Sequence, residues 1–183
     1  MKRYKFIAKD FKSVNGNQKW EPNKWYKYDG DLDMCHSGFH CSKGIYQAFS
    51  YVQGEILVEV EVKGNHQTQN DKEVWEQMRV AKAYEWTKTD SILFAIFAAR
   101  LVLGIFERYD KNDKRPREAI EAAERYVENP TEENRNAADA AADAAYAAYA
   151  AYEAAHAAAY AATIYKKCDA WMLEHLKELR LCK

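Results

Sequence analysis

The chain carries no surplus of charge. Its 27 Lys and Arg are balanced by 28 Asp and Glu in 183 residues, so no global positive field gathers nucleic acid by counterion release. Any such contact has to use a local patch, and direct nucleic-acid binding stays open. No stretch is read as reaching the ~20 apolar residues that cross a bilayer. The start, Met1-Lys-Arg-Tyr-Lys-Phe-Ile, lacks the apolar run and small-residue cleavage site of a signal peptide. The expectation is a cytoplasmic protein with no membrane partner. P-loop, dinucleotide fingerprint, HExxH and GxSxG are all missing, which removes the common motif-borne chemistries, and no cofactor is expected. Cysteine is sparse: four residues, read as free thiols, with Cys168 and Cys182 as packing residues of a helical tail.

What is present divides into two kinds of pattern. Up to residue 84 the chain has strand punctuation. Lys5-Phe-Ile-Ala comes first, then Trp25-Tyr-Lys-Tyr closed by Asp29-Gly30, and then a glycine-flanked loop around Ser37-Gly38-Phe39. The clearest strand is Glu55 to Val62, where Ile56, Val58, Val60 and Val62 alternate with Glu55, Leu57, Glu59 and Glu61, and Lys63-Gly64-Asn65 is read as its end. Ile45 to Tyr51 suits a short amphipathic helix, and a further strand is placed near Met78 to Tyr84. From residue 85 to 183 the period is helical. Thr87 or Thr89 caps a helix through Tyr109, the run from Asp110 to Arg115 is a hydrated loop, and Pro116 sits in the first turn of a second helix ending near Glu128. Asn129-Pro130-Thr131-Glu132 reads as cap, first-turn proline and capping-box glutamate of a third helix. The fold class is therefore α+β: a small antiparallel β-sheet module with a short helix (1–84), followed by an alanine-rich antiparallel helical bundle (85–183).

Between Ala137 and Ala162 nearly every residue is alanine. The exceptions, among them Asp139, Asp143, Glu153, Tyr146, Tyr149, Tyr152, His156 and Tyr160, fall on one half of the helix at ~100° per residue. An all-alanine face allows close backbone approach to a neighbouring helix. Tyr146, Tyr149, Tyr152, His156 and Tyr160 are read as a partner-binding stripe, because aromatic side chains are enriched at interfaces. The alternative is that these rings fill the bundle core while the alanines face water.

Cys35-His36-Ser37-Gly38-Phe39-His40-Cys41 holds four metal-ligating side chains within seven residues. So short a stretch closes a tetrahedron poorly, and no second Cys/His pair follows, so no metal is expected. In the same loop His36 and His40 could serve as general acid and base with Glu59 or Glu61 from the neighbouring strand, which is enough for metal-free RNA cleavage. The competing reading is a solvated turn.

Ile92-Leu-Phe-Ala-Ile-Phe-Ala-Ala-Arg-Leu-Val-Leu-Gly-Ile-Phe-Glu, Arg115-Pro-Arg-Glu-Ala-Ile-Glu-Ala and the alanine run resemble a helical family of immunity proteins, over roughly 87–183. The N-terminal part, with Tyr4-Lys-Phe, Trp25-Tyr and above all the Gly38-Phe39-His40 core, is similar to a short uncharacterised phage and prophage module. These resemblances imply a phage or mobile-element accessory protein that binds a host or mobile-element protein, a ribonucleoprotein being one such partner. It would inhibit or neutralise a defence effector such as a CRISPR nuclease, or a toxin. The alternatives are a metal-independent nuclease or nucleotide transferase with its site in the N-terminal module, and a self-associating structural helical protein.

Overall fold

The computed structural model describes residues 2–139 and 163–182. The chain divides into two units, one reaching to Thr87 and resuming at Asp169, the other running from Lys88 to Cys168.

The first unit is built on five antiparallel strands: β1 (Lys2–Ile7), β2 (Tyr26–Lys27), β3 (Phe39–Ser42), β4 (Ile56–Gln69) and β5 (Lys72–Glu85), with α1 (Ile45–Tyr51) between β3 and β4. β4 and β5 form a hairpin whose two-residue turn carries Asn70 in the left-handed region, at φ 57°. β4 also pairs with β1, β1 with β3, and β3 with β5, so the sheet closes on itself, and β2 adds to β5. Closure removes most of the exposed edge. Its interior holds Ile7, Val58, Val60, Trp75, Met78 and Val80.

Four sequence expectations need correction here. β4 does not end at Lys63-Gly64-Asn65; it continues to Gln69 through an irregularity, with Gly64 at φ +86° absorbing the extra backbone. β5 spans far more than Met78 to Tyr84. Its pairing with β4 slips by one residue, Glu59 facing Lys82 and Val60 facing Val80, so Ala81 bulges and the two-residue period breaks. The stretch read as loop around Phe39 is the start of β3, with Phe39, Cys41 and Ser42 buried. Finally, the residues after 168 do not belong with the helical part. Glu85 N–H donates to Arg180 O (2.9 Å), Cys182 N–H donates to Ala83 O (2.9 Å), and Leu181 bridges Tyr84, so the tail extends the edge of β5.

The outer face of β1 and β4 is covered by aromatic side chains. Phe6 meets Phe49 of α1 and Trp86 edge-on, both at 5.4 Å between ring centroids. His175, from helical residues 163–175, meets Trp86 edge-on at 5.9 Å and stacks on Trp171 at 4.7 Å. α1 lacks a capping side chain at Gly44, and Asp169 supplies the acceptor, its Oδ1 taking the Tyr46 N–H at 2.8 Å. A Cβ at Gly44 would lie 2.3 Å from Asp169 Oδ2. Glycine is what lets the carboxylate approach.

In the second unit α2 (Lys88–Tyr109) and α3 (Arg115–Glu128) form an antiparallel hairpin. Arg100 pairs with Glu124 (2.5 Å), and seven residues on Glu107 pairs with Arg117 (2.7 Å). Asp113 caps α3 by accepting the Arg115 N–H at 3.0 Å. The next helical stretch, 132–139, starts two residues later than Asn129 implied: Thr131 Oγ1 takes the Asn134 N–H at 3.2 Å, while Asn129 turns its carbonyl to Thr131 and Asn134. The expectation of no membrane-length apolar run is also overturned. Within Lys88–Arg108 an 18-residue stretch has a mean hydropathy of 1.8, and the helix is long and apolar enough to cross a bilayer by length and composition, a test that core helices of water-soluble proteins also pass. Arg100, in mid-helix, is ion-paired with Glu124 of α3.

Candidate functional site

The tight turn at Asp33–Ser37 leads into β3: the His36 and Ser37 N–H groups both donate to Asp33 O, at 3.1 and 2.9 Å. Within it Cys35 has φ 70°, a left-handed conformation that costs a non-glycine residue strain. Its N–H donates to His40 Nε2 at 2.8 Å, which holds the turn over β3 and leaves that nitrogen as an acceptor. Gly38 follows at φ +96°, and a Cβ there would lie 2.6 Å from Val74 Cγ2 and 2.7 Å from Leu32 Cδ2. Gly38→Ala is therefore expected to lower stability by about 1–3 kcal/mol through strain and overpacking, read as a drop in melting temperature.

This segment forms one wall of an open cleft of about 590 Å³. The Ser13–Gln18 loop, β1 and the end of α1 supply the rest. Lys5 and Lys72 line it with His36 and His40, and among the described residues no carboxylate does. Lys5 Nζ donates to His40 O at 3.2 Å, and Lys72 Nζ lies 3.7 Å from Cys35 Sγ and 4.0 Å from the centre of the Tyr51 ring. Burial pushes the Lys5 ammonium below its ordinary range. Burial first, and then the charges of Lys5 and Lys72, push the His40 imidazole down as well. The Tyr51 hydroxyl is hydrogen-bonded to Asp71, which with partial burial raises its pKa to about 12.

The structure separates the two histidines read as candidate catalysts, which line the cleft, from the two glutamates, which do not. His36 is exposed, its Nδ1 3.1 Å from Met34 O and 3.4 Å from Asp33. His40 lines the cleft, but its Nε2 lone pair is occupied by the Cys35 N–H. Glu59 is buried at the β1–β4 pairing, bound to Lys2 (2.9 Å) and to the Tyr84 hydroxyl (3.1 Å), and Glu61 is paired with Arg79. Neither glutamate lines the cleft. The expected juxtaposition of histidines and strand carboxylates fails because Glu59 and Glu61 share the outer parity of β4 with Leu57, and each already has a cationic partner.

Cys35 is exposed and Cys41 buried, and burial lifts the Cys41 thiol to about 12. Among the described residues no group of three or more His, Cys, Asp or Glu could hold a metal ion. Tyr146, Tyr149, Tyr152, His156 and Tyr160 lie outside the described residues. Sequence reasoning missed Lys5, Tyr51 and Lys72.

Comparison with known proteins adds two families. A domain of unknown function (DUF7666) matches residues 1–91, and a family of unknown function (DUF6931) matches residues 67–170. The two matches overlap across the hairpin end and β5. No curated protein and no solved structure matches the chain. Since the second family model covers more than half of its length, the chain belongs to the family of unknown function DUF6931.

Proposed function

We propose that this protein works by binding a larger macromolecule, as a phage or mobile-element accessory protein that inhibits or neutralises a host or mobile-element protein in the cytoplasm. The observation that supports binding over catalysis is the fate of the acid–base candidates. His40 accepts a backbone N–H, Glu59 is buried between Lys2 and Tyr84, and Glu61 is paired with Arg79. None of these groups is poised to move a proton on a substrate, which requires a donor or acceptor within hydrogen-bond reach of the reacting atom.

The recognition surface in this reading is the stripe of Tyr146, Tyr149, Tyr152, His156 and Tyr160. Capture of a partner by the full chain from a bacterial host, followed by affinity measurement with the purified partner, tests it. Tyr149→Ala and His156→Ala are expected to weaken binding by about 2 kcal/mol or more with little change in melting temperature, while His40→Ala and Glu59→Gln leave the biological effect intact. The reading fails if His40→Ala abolishes the effect while partner binding and folding survive, and the partner or its RNA is found covalently changed. That outcome would favour the nuclease or nucleotide-transferase alternative.

A further inference from the structure

We infer that the cleft of the first unit binds a phosphorylated ligand with a planar ring, a nucleoside phosphate. Two ammonium-bearing side chains, Lys5 and Lys72, line the cleft with His40, and the Lys5 Nζ donates to the His40 carbonyl at 3.2 Å. Among the described residues neither is paired with a carboxylate: Lys5 has the His40 carbonyl, and Lys72 has the Cys35 sulfur and the Tyr51 ring. The nearby Asp71 carboxylate is engaged by the Tyr51 hydroxyl.

Two cations lining one partly desolvated cleft without a counter-charge are unfavourable, and the group that relieves this is an anion rich in acceptor oxygens. A phosphate meets that need. The rest of the cleft asks for more than inorganic phosphate. Its volume, about 590 Å³, lies in the range of sites for drug-sized ligands. Tyr51, 44% exposed, presents an aromatic ring at the cleft beside the Lys72 ammonium, and Tyr28 offers a second ring. Asn15 and Asn17 contribute carboxamides that can pair with the edge of a base. Phosphate at the lysines and a base among the rings and amides fills each of these features.

Lys5 carries the most diagnostic consequence. Its register partner on β4 is Val58, a core residue, and burial disfavours its charged form. Lys5→Met keeps the stem and removes the desolvated charge. It is expected to raise the melting temperature while losing the ligand, a trade of stability for binding that a purely structural lysine would not show.

The test is calorimetric titration of the full-length protein with the four nucleoside 5′-monophosphates, and with inorganic phosphate and the unphosphorylated nucleosides as controls. Saturable binding of at least one monophosphate is expected. It should be tighter than either control and weakened about tenfold or more by Lys5→Met and by Lys72→Met, the loss of one charge-assisted hydrogen bond. No binding at millimolar nucleotide, phosphate binding as tight as any nucleotide, or unchanged binding by the folded Lys72→Met protein would each overturn the inference. Partner capture is a separate measurement, so failure here leaves the macromolecular reading standing, and the reverse holds too.

Discussion

Glu73→Gln is expected to destabilise the protein by about 3–5 kcal/mol, the cost of breaking a buried ion pair by removing the charge of one partner. Glu73 faces Cys41 across the β3–β5 pairing, and its side chain is 3% exposed. Arg3 reaches it from β1 with two parallel bonds, Nε to Oε2 at 2.5 Å and Nη2 to Oε1 at 3.0 Å, and Trp75 Nε1 donates to Oε2 at 2.8 Å. The forked geometry joins β1 to β5, two strands that do not pair directly. The double change Arg3→Met with Glu73→Leu is expected to recover most of the loss, since an apolar pair removes both desolvation costs. Urea denaturation of the three variants measures this.

The same pair sets an acid limit. Burial pushes the Glu73 carboxyl up, but the hydrogen bonds from Arg3 and Trp75 outweigh it, so the net pKa lies below the ordinary value. A carboxyl with a lowered folded pKa contributes stability above its unfolded value and loses it as pH falls through the folded one. Stability should therefore decline below the ordinary range for glutamate, and this component of the decline should vanish in the double variant.

Ending the chain at residue 168 is expected to unfold the first unit, which includes the residues from Asp169 on. The tail supplies the Asp169 acceptor at the start of α1, the Arg180 carbonyl and Cys182 N–H that extend β5, and Met172, whose relative exposure is 0%. Met172→Ala alone should cost about 2–5 kcal/mol, against a total of about 5–15 kcal/mol for a typical domain. Removing the whole tail also takes away His175 from Trp86 and exposes the aromatic face of β1. Far-ultraviolet circular dichroism with thermal melting reads both variants. A cooperative transition near that of the full chain after truncation would contradict the role given to the tail. For the same reason a fragment starting near Tyr84 carries the tail without the sheet it belongs to.

Local patterns told the local story. The alternation from Ile56 to Val62, the short apolar helix at Ile45–Tyr51 and the proline in the first turn of α3 each show in the sequence, because periodicity and capping depend on near neighbours. They suffice for the α+β class, a small antiparallel sheet and a helical part after it. Tertiary structure decided the rest. The first half of β5, Lys72 to Gln77, is fixed by its pairing with β3 and β4 and not by a local period, and the bulge at Ala81 breaks the alternation in the second half. The return of the tail to β5 is set by backbone groups and a buried methionine that carry no signature of their partner. The cleft is assembled from Lys5 on β1, His40 on β3 and Lys72 on β5, which meet only because the sheet closes. Nor could the sequence reveal that Glu59 and Glu61, on the opposite parity of β4 from the core valines, were already taken by Lys2 and Arg79, because charge pairing across strands depends on a register that only the folded sheet defines.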